Sequence, residues 1–182
     1  MIKQEDREKR HGLLINITGS GKGKTTSALG TCLRALGWNW KVAVIQFIKD
    51  GSETGERRFA AESGLPFEIC SLGAGFTWRK GGSANEDIHC AENAWHKAVE
   101  YITEGKVDLL VLDEFNIALD KKYLPLDQVI ATLQSRPSWM HVIITGRNAP
   151  PELTAACDLV SEIREIKHPF NTGIAAQKGI EF

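Results

Sequence analysis

Apolar residues along the chain fall into short continuous runs that alternate with longer stretches of helical periodicity. Each short run is dominated by Leu, Ile and Val and is typical of a strand buried in a parallel sheet; the runs cover residues 12–18, 41–48, 106–115 and 140–147. Residues 158–166 alternate apolar and polar positions, which predicts an edge strand. Helical spacing covers residues 24–37, 85–105 and 125–136. This alternation predicts a three-layer α/β fold, with a mostly parallel sheet and helices on both faces.

The whole chain has the size of one domain, since 182 residues can bury one core of ordinary size but not two. We interpret residues 1–11 as a charged N-terminal extension and residues 12–182 as the domain. The charged start is unlike a signal peptide, and no apolar run approaches the ~18 residues of a membrane span. With a net charge of −1, nucleic acid and membranes are not expected partners, and the expected location is the cytoplasm.

A glycine-rich stretch, TGSGKGKTT at residues 18–26, joins the first predicted strand to the first predicted helix. It looks like a phosphate-binding loop shortened by one residue, because the glycine expected five positions before Gly23 is Thr18, and Gly19 follows it. The alternating glycines let backbone N–H groups turn inward and form a nest for phosphate oxygens at a helix N-terminus. Lys24 adds a cation, and Thr25 supplies the hydroxyl that holds magnesium in such loops. The candidate nucleotide-binding residues are Gly19, Ser20, Gly21, Lys22, Gly23, Lys24, Thr25 and Thr26.

An acidic pair, Asp113 and Glu114, ends the third buried run in the sequence LLVLDE. Hard carboxylate oxygens suit Mg²⁺ or Mn²⁺, which usually stays bridged to nucleotide phosphates, so we expect a metal site formed by Thr25, Asp113 and Glu114. Either carboxylate fits the role of direct ligand. These parts predict binding of a nucleoside triphosphate but do not select a reaction, because kinases, ATPases and nucleotidyl transferases all use them.

Segments beyond the loop and the acidic pair narrow the class of protein. In order along the chain they are TGSGKGKTTSALG, VIQFIK, GAGFTW, VLDEFNIAL, YLPLDQVIATLQSRP, VIITGR and KHPFNTGIAAQKGIEF. Together they resemble the ATP:corrinoid adenosyltransferases, a family with a RecA-like P-loop fold, from about Gly12 to Phe182. The resemblance is specific because GFTW and the C-terminal block are not general features of P-loop proteins.

This resemblance implies a particular reaction. The enzyme would transfer the 5′-deoxyadenosyl group of ATP to the cobalt(I) of a reduced corrinoid and release triphosphate, in cobalamin synthesis or salvage. The resemblance also implies a homodimer, an electron-donating flavoprotein reductase, and ATP bound in a reversed sense that presents the ribose C5′ to the corrinoid. Because the phosphates together are the leaving group, we expect Lys22, Lys24 and a divalent metal to neutralise the charge that builds on them. Lys24 and Glu114 are the candidate catalytic residues.

The corrinoid contacts are expected within residues 72–82, inside a long stretch of weak periodicity formed by residues 49–66 and 71–85. Phe76 and Trp78 lie there between glycines, in a loop setting that suits a ligand surface, although composition alone favours core packing. By resemblance, both side chains contact the corrinoid and push away the axial ligand beneath the cobalt. Such a dry aromatic wall excludes the water or base that would otherwise coordinate.

Several alternatives stay open from the sequence. A P-loop kinase or ATPase would use the acidic pair for magnesium and for activation of water or an acceptor, and a corrinoid-binding module would hold both ligands without forming a carbon–cobalt bond. Arg147 either reaches the phosphates or forms a surface ion pair. The segment before Gly12 is short, whereas some relatives use a longer N-terminal helix to cover the partner's active site. Ser20 stands where Asn is frequent in relatives, and we expect little change from it.

Overall fold

The computed structural model describes residues 5, 7, 9–49, 51–73, 75 and 84–182. Within these residues the strands are β1 Leu14–Thr18, β2 Val42–Gln46, β3 Phe67–Ser71, β4 Leu109–Asp113, β5 His141–Thr145 and β6 Leu159–Glu162. The helices are α1 Lys24–Gly37, α2 Gly55–Glu62, α3 Ala84–Glu104, α4 Phe115–Asp120, α5 Leu126–Gln134 and α6 Pro151–Ala156, followed by a 3₁₀ helix at Pro169–Thr172. None of these described helices combines the length and the apolarity needed to span a bilayer.

The strands form one sheet in the order β3-β2-β4-β5-β1-β6, and every neighbouring pair is parallel. All five predicted strands are present with shorter bounds, and β6 lies at an edge as predicted. Because β5 separates β1 from β4, the loop after β1 and the acidic pair after β4 meet across the end of β5. The carboxyl ends of parallel strands form the edge at which ligands bind in open α/β sheets.

Apolar side chains cover both faces of the sheet, which confirms the predicted three-layer α/β fold. On one face, Trp95 of α3 stacks on Phe115 of α4 with 5.2 Å between ring centroids, and α5 packs into the same cluster. The other face packs against α1 through Ala28, Cys32 and Leu36. Burying a large apolar side chain contributes about 1.5–3 kcal/mol, so both layers hold the sheet rigid beneath the loops that follow its strands.

The stretch between β2 and α3 departs from the prediction of weak structure. It contains α2, and β3 pairs with β2 along all five residues of each strand. No residue of α2 is buried and the residues of β3 are at most half-buried, so neither element imposes a continuous apolar run on the sequence. Phe76 and Trp78, the predicted corrinoid contacts, lie outside the described residues. The short helices α4 and α6, six residues each, were not predicted either.

The N-terminal extension binds the edge of the sheet opposite the predicted site. Arg7 donates to both oxygens of the Asp108 carboxylate, at 2.8 and 2.9 Å, and Arg10 donates to the same carboxylate at 2.6 Å. Burial alone would raise the pKa of Asp108, but the hydrogen bonds from Arg7, the Lys41 N–H and Arg10 hold it below its ordinary value. Since Asp108 precedes β4, this contact lies at the amino edge of the sheet.

Candidate functional site

The loop between β1 and α1 packs against the chain that leaves β6. The Gly21 N–H donates to the Ile163 carbonyl at 2.8 Å, and the Ile163 N–H donates to the Thr18 carbonyl at 2.8 Å. A Cβ on Gly19 would lie 2.3 Å from the Ile163 oxygen, so this position needs glycine because two backbones approach closely. The predicted phosphate nest required the Gly21 N–H to point inward. In the structure this N–H points toward the chain that leaves β6 instead.

Gly23 and Lys24 begin α1. Gly23 has a φ of +114°, a backbone conformation that only glycine adopts easily. Lys24 is 6% exposed, and its Nζ donates to the Gly21 carbonyl at 2.8 Å. Burial lowers the pKa of Lys24; the carboxylate of Glu114 opposes this shift, and the charge of Arg147 adds to it. A buried ammonium with a lowered pKa is stabilised when an anion binds beside it.

Asp113, at the end of β4, is fully buried and accepts hydrogen bonds from three sides. Its Oδ1 accepts from the hydroxyls of Thr25 and Thr145, at 2.7 and 2.8 Å, and its Oδ2 accepts from the Gln46 amide at 3.3 Å. The Gln46 amide oxygen in turn accepts from the Ser71 hydroxyl at 2.6 Å. These hydrogen bonds connect the ends of four strands with the first turn of α1.

Glu114 differs from its neighbour because one of its oxygens has no partner. Its φ of +61° is left-handed, and its N–H donates to the Thr145 hydroxyl at 2.9 Å. The side chain lines the cleft described below, and its Oε2 is buried without a hydrogen-bond partner among the described residues. Burial raises the pKa of Glu114, and the charge of Asp113 raises it further, whereas Lys24 lowers it. A buried carboxylate oxygen of this kind is suited to a proton or a cation.

A charged cleft of about 570 Å³ opens above the loop. Its cations come from the loop and from the ends of β2 and β5: Lys22, Lys24, Lys49 and Arg147. Its carboxylates come from α2, from the end of β4 and from the C-terminal region: Glu56, Glu114, Glu165 and Glu181. Lys49 and Glu56 form an ion pair at 2.8 Å within this lining. Phosphate groups suit such a cleft better than an apolar ligand does.

The structure gathers most of the predicted site residues in one place. Among the predicted nucleotide-binding residues, those that line the cleft are Gly21, Lys22, Gly23, Lys24, Thr25 and Thr26. Glu114 joins them there, and Asp113 lies beneath Thr25. Gly19 packs behind the loop against Ile163, and Ser20 is exposed. Sequence reasoning did not identify the cleft residues Lys49, Glu56 and Glu181, or the Asp113 partners Gln46 and Thr145.

Fold and site together define a class of protein. A parallel sheet, a Gly-Lys-Thr loop between β1 and α1, and a carboxylate at the end of the non-adjacent strand β4 are the marks of a P-loop nucleotide-binding protein. Residues 10–182 match the family described as ATP:corrinoid adenosyltransferase BtuR/CobO/CobP. The chain belongs to this family of transferases, which confirms the resemblance seen in its motifs.

Relatives named corrinoid adenosyltransferase align with nearly all of the chain. A corrinoid adenosyltransferase of Pseudomonas aeruginosa is 46% identical over 171 residues, which are 94% of this chain and 84% of the relative. One from Sinorhizobium sp is 43% identical over 173 residues, covering 94% and 80%. The corrinoid adenosyltransferase CobA of Salmonella typhimurium is 38% identical over 179 residues, covering 98% and 88%.

Proposed function

We propose that this protein transfers the 5′-deoxyadenosyl group of ATP to the cobalt(I) of a reduced corrinoid and releases triphosphate. The observation that carries the proposal is the buried Lys24 ammonium, which lies within the Gly-Lys-Thr loop beside a charged cleft of about 570 Å³. A cleft of this volume falls in the range that holds a small ligand such as a nucleotide. Membership of the family selects adenosyl transfer from the reactions that P-loop proteins perform.

In this reaction the protein stabilises a leaving group. Cobalt(I) supplies the electron pair that forms the bond to C5′, and the electrons of the broken C5′–O bond go to the triphosphate. Lys22 and Lys24 line the cleft, and in the proposed reaction these cations neutralise that charge and so favour the transition state. Arg147 lines the same cleft, and its charge acts on Lys24 and Glu114, which supports contact with phosphate for this residue.

Thr25 and Glu114 would hold the Mg²⁺ or Mn²⁺, with Asp113 in support. The hydroxyl of Thr25 and the carboxylate of Asp113 are 2.7 Å apart, and the unpartnered Oε2 of Glu114 is an acceptor that a hard cation fits. When bound, the cation would neutralise phosphate charge. We assign Glu114 as the direct ligand and Asp113 as the residue that orients Thr25, because Asp113 already accepts three hydrogen bonds.

Phe76 and Trp78 are proposed as the corrinoid contacts. Their segment leaves the carboxyl end of β3, which is the edge of the sheet that carries the cleft. Just before it, the Gly73 N–H donates to the carbonyl of Lys49 at 3.1 Å, and the Lys49 side chain lines the cleft. This anchor supports a corrinoid site beside the nucleotide, with the aromatic side chains displacing the lower axial ligand.

Four broader features are part of the same proposal. Residues 12–182 form one domain with residues 1–11 as an extension, and the protein works as a homodimer in the cytoplasm. A flavoprotein reductase supplies the electron that generates cobalt(I). The resemblance supports the dimer and the reductase, whereas the net charge of −1 and the absence of any long apolar run in the sequence support the location.

The deciding experiment supplies the purified protein with ATP, Mg²⁺ and chemically reduced cobalamin under strict anaerobic conditions. We expect the corrinoid spectrum to change to that of adenosylcobalamin, with one inorganic triphosphate released per turnover. A P-loop kinase or ATPase would release orthophosphate or a phosphorylated product, and a binding module would retain both ligands without forming a product. Failure to form adenosylcobalamin would refute the proposal.

A further inference from the structure

The last six residues of the chain, which we call the C-terminal hook (residues 177–182), lie on the phosphate-binding loop. Hook residues Ile180 and Glu181 line the same cleft as Lys22 and Lys24 of that loop. The Glu181 carboxylate forms an ion pair with the Lys22 ammonium across 159 positions of sequence. A cation that the proposed function assigns to the triphosphate is therefore bound by a carboxylate of the same chain.

Among the described contacts, the ion pair of Glu181 joins the hook to the phosphate-binding loop. The hook is closed on itself, because the N–H groups of Ile180 and Glu181 donate to the Gln177 carbonyl at 3.1 and 2.8 Å. Residues 171–180 are all exposed, and no hook residue belongs to the apolar core of the described chain. The Glu181 side chain is only 16% exposed, so the ion pair is the most buried contact of an otherwise exposed segment.

Within the described part of the chain, cationic and anionic side chains line the cleft in equal numbers. The side chains lining it include four cations, Lys22, Lys24, Lys49 and Arg147, and four carboxylates, Glu56, Glu114, Glu165 and Glu181. A triphosphate brings several negative charges, and like charges within a few ångströms repel strongly in a partly buried site. Glu56 is paired with Lys49, and Glu114 has a buried oxygen. Glu181 is the carboxylate that pairs with a cation of the phosphate-binding loop, and it lies on the exposed hook, so it can move away together with that segment.

We propose that the hook is an electrostatic latch on the nucleotide site: Glu181 neutralises Lys22 in the nucleotide-free protein, and the triphosphate of ATP displaces it. The latch rests on the proposed nucleotide site. It shields the loop cation while the cleft holds no ATP, and the hook moves away from the loop when ATP binds. Competition between carboxylate and triphosphate for one ammonium then lowers the affinity for ATP.

The test measures the dissociation constant of MgATP by calorimetry in the full-length protein and in matched variants. Glu181→Gln should bind MgATP about two- to fivefold more tightly, the range expected for loss of a partly exposed ion pair. Glu165→Gln is the matched control, because Glu165 lines the same cleft and its carboxylate accepts a hydrogen bond from Asn171, at 3.3 Å. This control measures how much the affinity for MgATP rises when any one negative charge is removed from the cleft. In a protein that already carries Lys22→Gln, Glu181→Gln should not raise the affinity for MgATP.

Hydrogen exchange gives a second readout. Amide exchange in residues 177–182 should rise when MgATP binds the wild-type protein, and should already be raised in nucleotide-free Glu181→Gln. Weaker ATP binding in Glu181→Gln, an equal gain in Glu165→Gln, or an undiminished gain in the Lys22→Gln background would each overturn the latch. If the wild-type protein bound no MgATP, the proposed function itself would fail; if it bound normally while Glu181→Gln had no effect, the latch alone would be wrong.

Discussion

Replacing Asp113 by alanine should destabilise the fold itself, in addition to any loss of metal or nucleotide. The carboxylate is fully buried and accepts hydrogen bonds from Thr25, Thr145 and Gln46. In Asp113→Ala, the Thr145 hydroxyl and the Gln46 amide lose their acceptor in a buried site, where they are 0% and 1% exposed. Thr25 is only half-buried, so its hydroxyl can turn to water.

The expected loss in the free energy of unfolding follows from these two buried donors that have lost their acceptor. A buried donor left without a partner costs about 1–3 kcal/mol, so two give a loss of about 2–6 kcal/mol in the free energy of unfolding. The Gln46 contact is long at 3.3 Å, which favours the lower half of that range. The amide cannot simply reverse, because its oxygen accepts from Ser71 at 2.6 Å. Asp113→Asn keeps one oxygen acceptor but places an NH₂ group beside the Gln46 NH₂, and should cost about 1–3 kcal/mol.

Urea unfolding at neutral pH, followed by circular dichroism, measures these losses. Asp120→Ala is the matched control, because Asp120 is exposed and accepts a single hydrogen bond from Asn148, at 3.0 Å. The control should change the free energy of unfolding by no more than about 0.5 kcal/mol. If Asp113→Ala lost no more than the control, the carboxylate would not be the buried centre of the hydrogen bonds around it, and the reasoning would be refuted.

Three further predictions concern ligand binding and acid stability. Lys24→Ala should abolish MgATP binding in calorimetry while circular dichroism shows an intact fold; retained binding would contradict the phosphate role. Trp78→Ala should leave MgATP binding nearly intact and impair turnover of cobalt(II) corrinoids, because their reduction needs the axial ligand removed; an equal loss of ATP affinity in both variants would argue against separate sites. Arg7→Ala should lower the free energy of unfolding at neutral pH by about 1–2 kcal/mol, because Arg7 donates two hydrogen bonds to buried Asp108. Burial raises the pKa of Asp108, but these bonds, together with those from the Lys41 N–H and Arg10, hold the pKa below the ordinary 3.8. The stabilisation is therefore present above that value and lost as pH falls through the lowered pKa, so urea titrations of variant and wild type should converge in acid; a constant difference would contradict the assignment.

The fold is predictable from the sequence where burial constrains every residue of an element. All residues of β2 and β4 are buried, so both strands must be continuously apolar or paired with polar partners, and both are visible in the sequence. β3 lies at the edge with at most half-buried residues, and α2 buries none, so water tolerates polar residues in both and no pattern marks them. Pairing with β2, a long-range contact, decides the state of β3.

The site is predictable where its residues are consecutive. Lys24 and Thr25 follow from the loop sequence, but Glu181 reaches the cleft only because the folded chain returns 159 residues later to Lys22. Such a contact has no local signal. Lys49 did have a local signal in the sequence, because it follows β2 closely. Residues at the carboxyl edge of a parallel sheet are candidates for ligand contact.

Asp113 and Glu114 are neighbours in sequence, but the backbone places them in different environments. The left-handed conformation of Glu114, with φ of +61°, costs about 1 kcal/mol or more and needs support from its surroundings. Its N–H donates to the Thr145 hydroxyl, which also donates to Asp113. One threonine therefore holds the turn and donates to the first carboxylate, which Thr25 and Gln46 also contact. The second carboxylate keeps a buried oxygen without a partner among the described residues. In the proposed function, this turn gives the two carboxylates different roles: Asp113 orients the Thr25 hydroxyl, and Glu114 keeps an oxygen available for the cation that accompanies ATP.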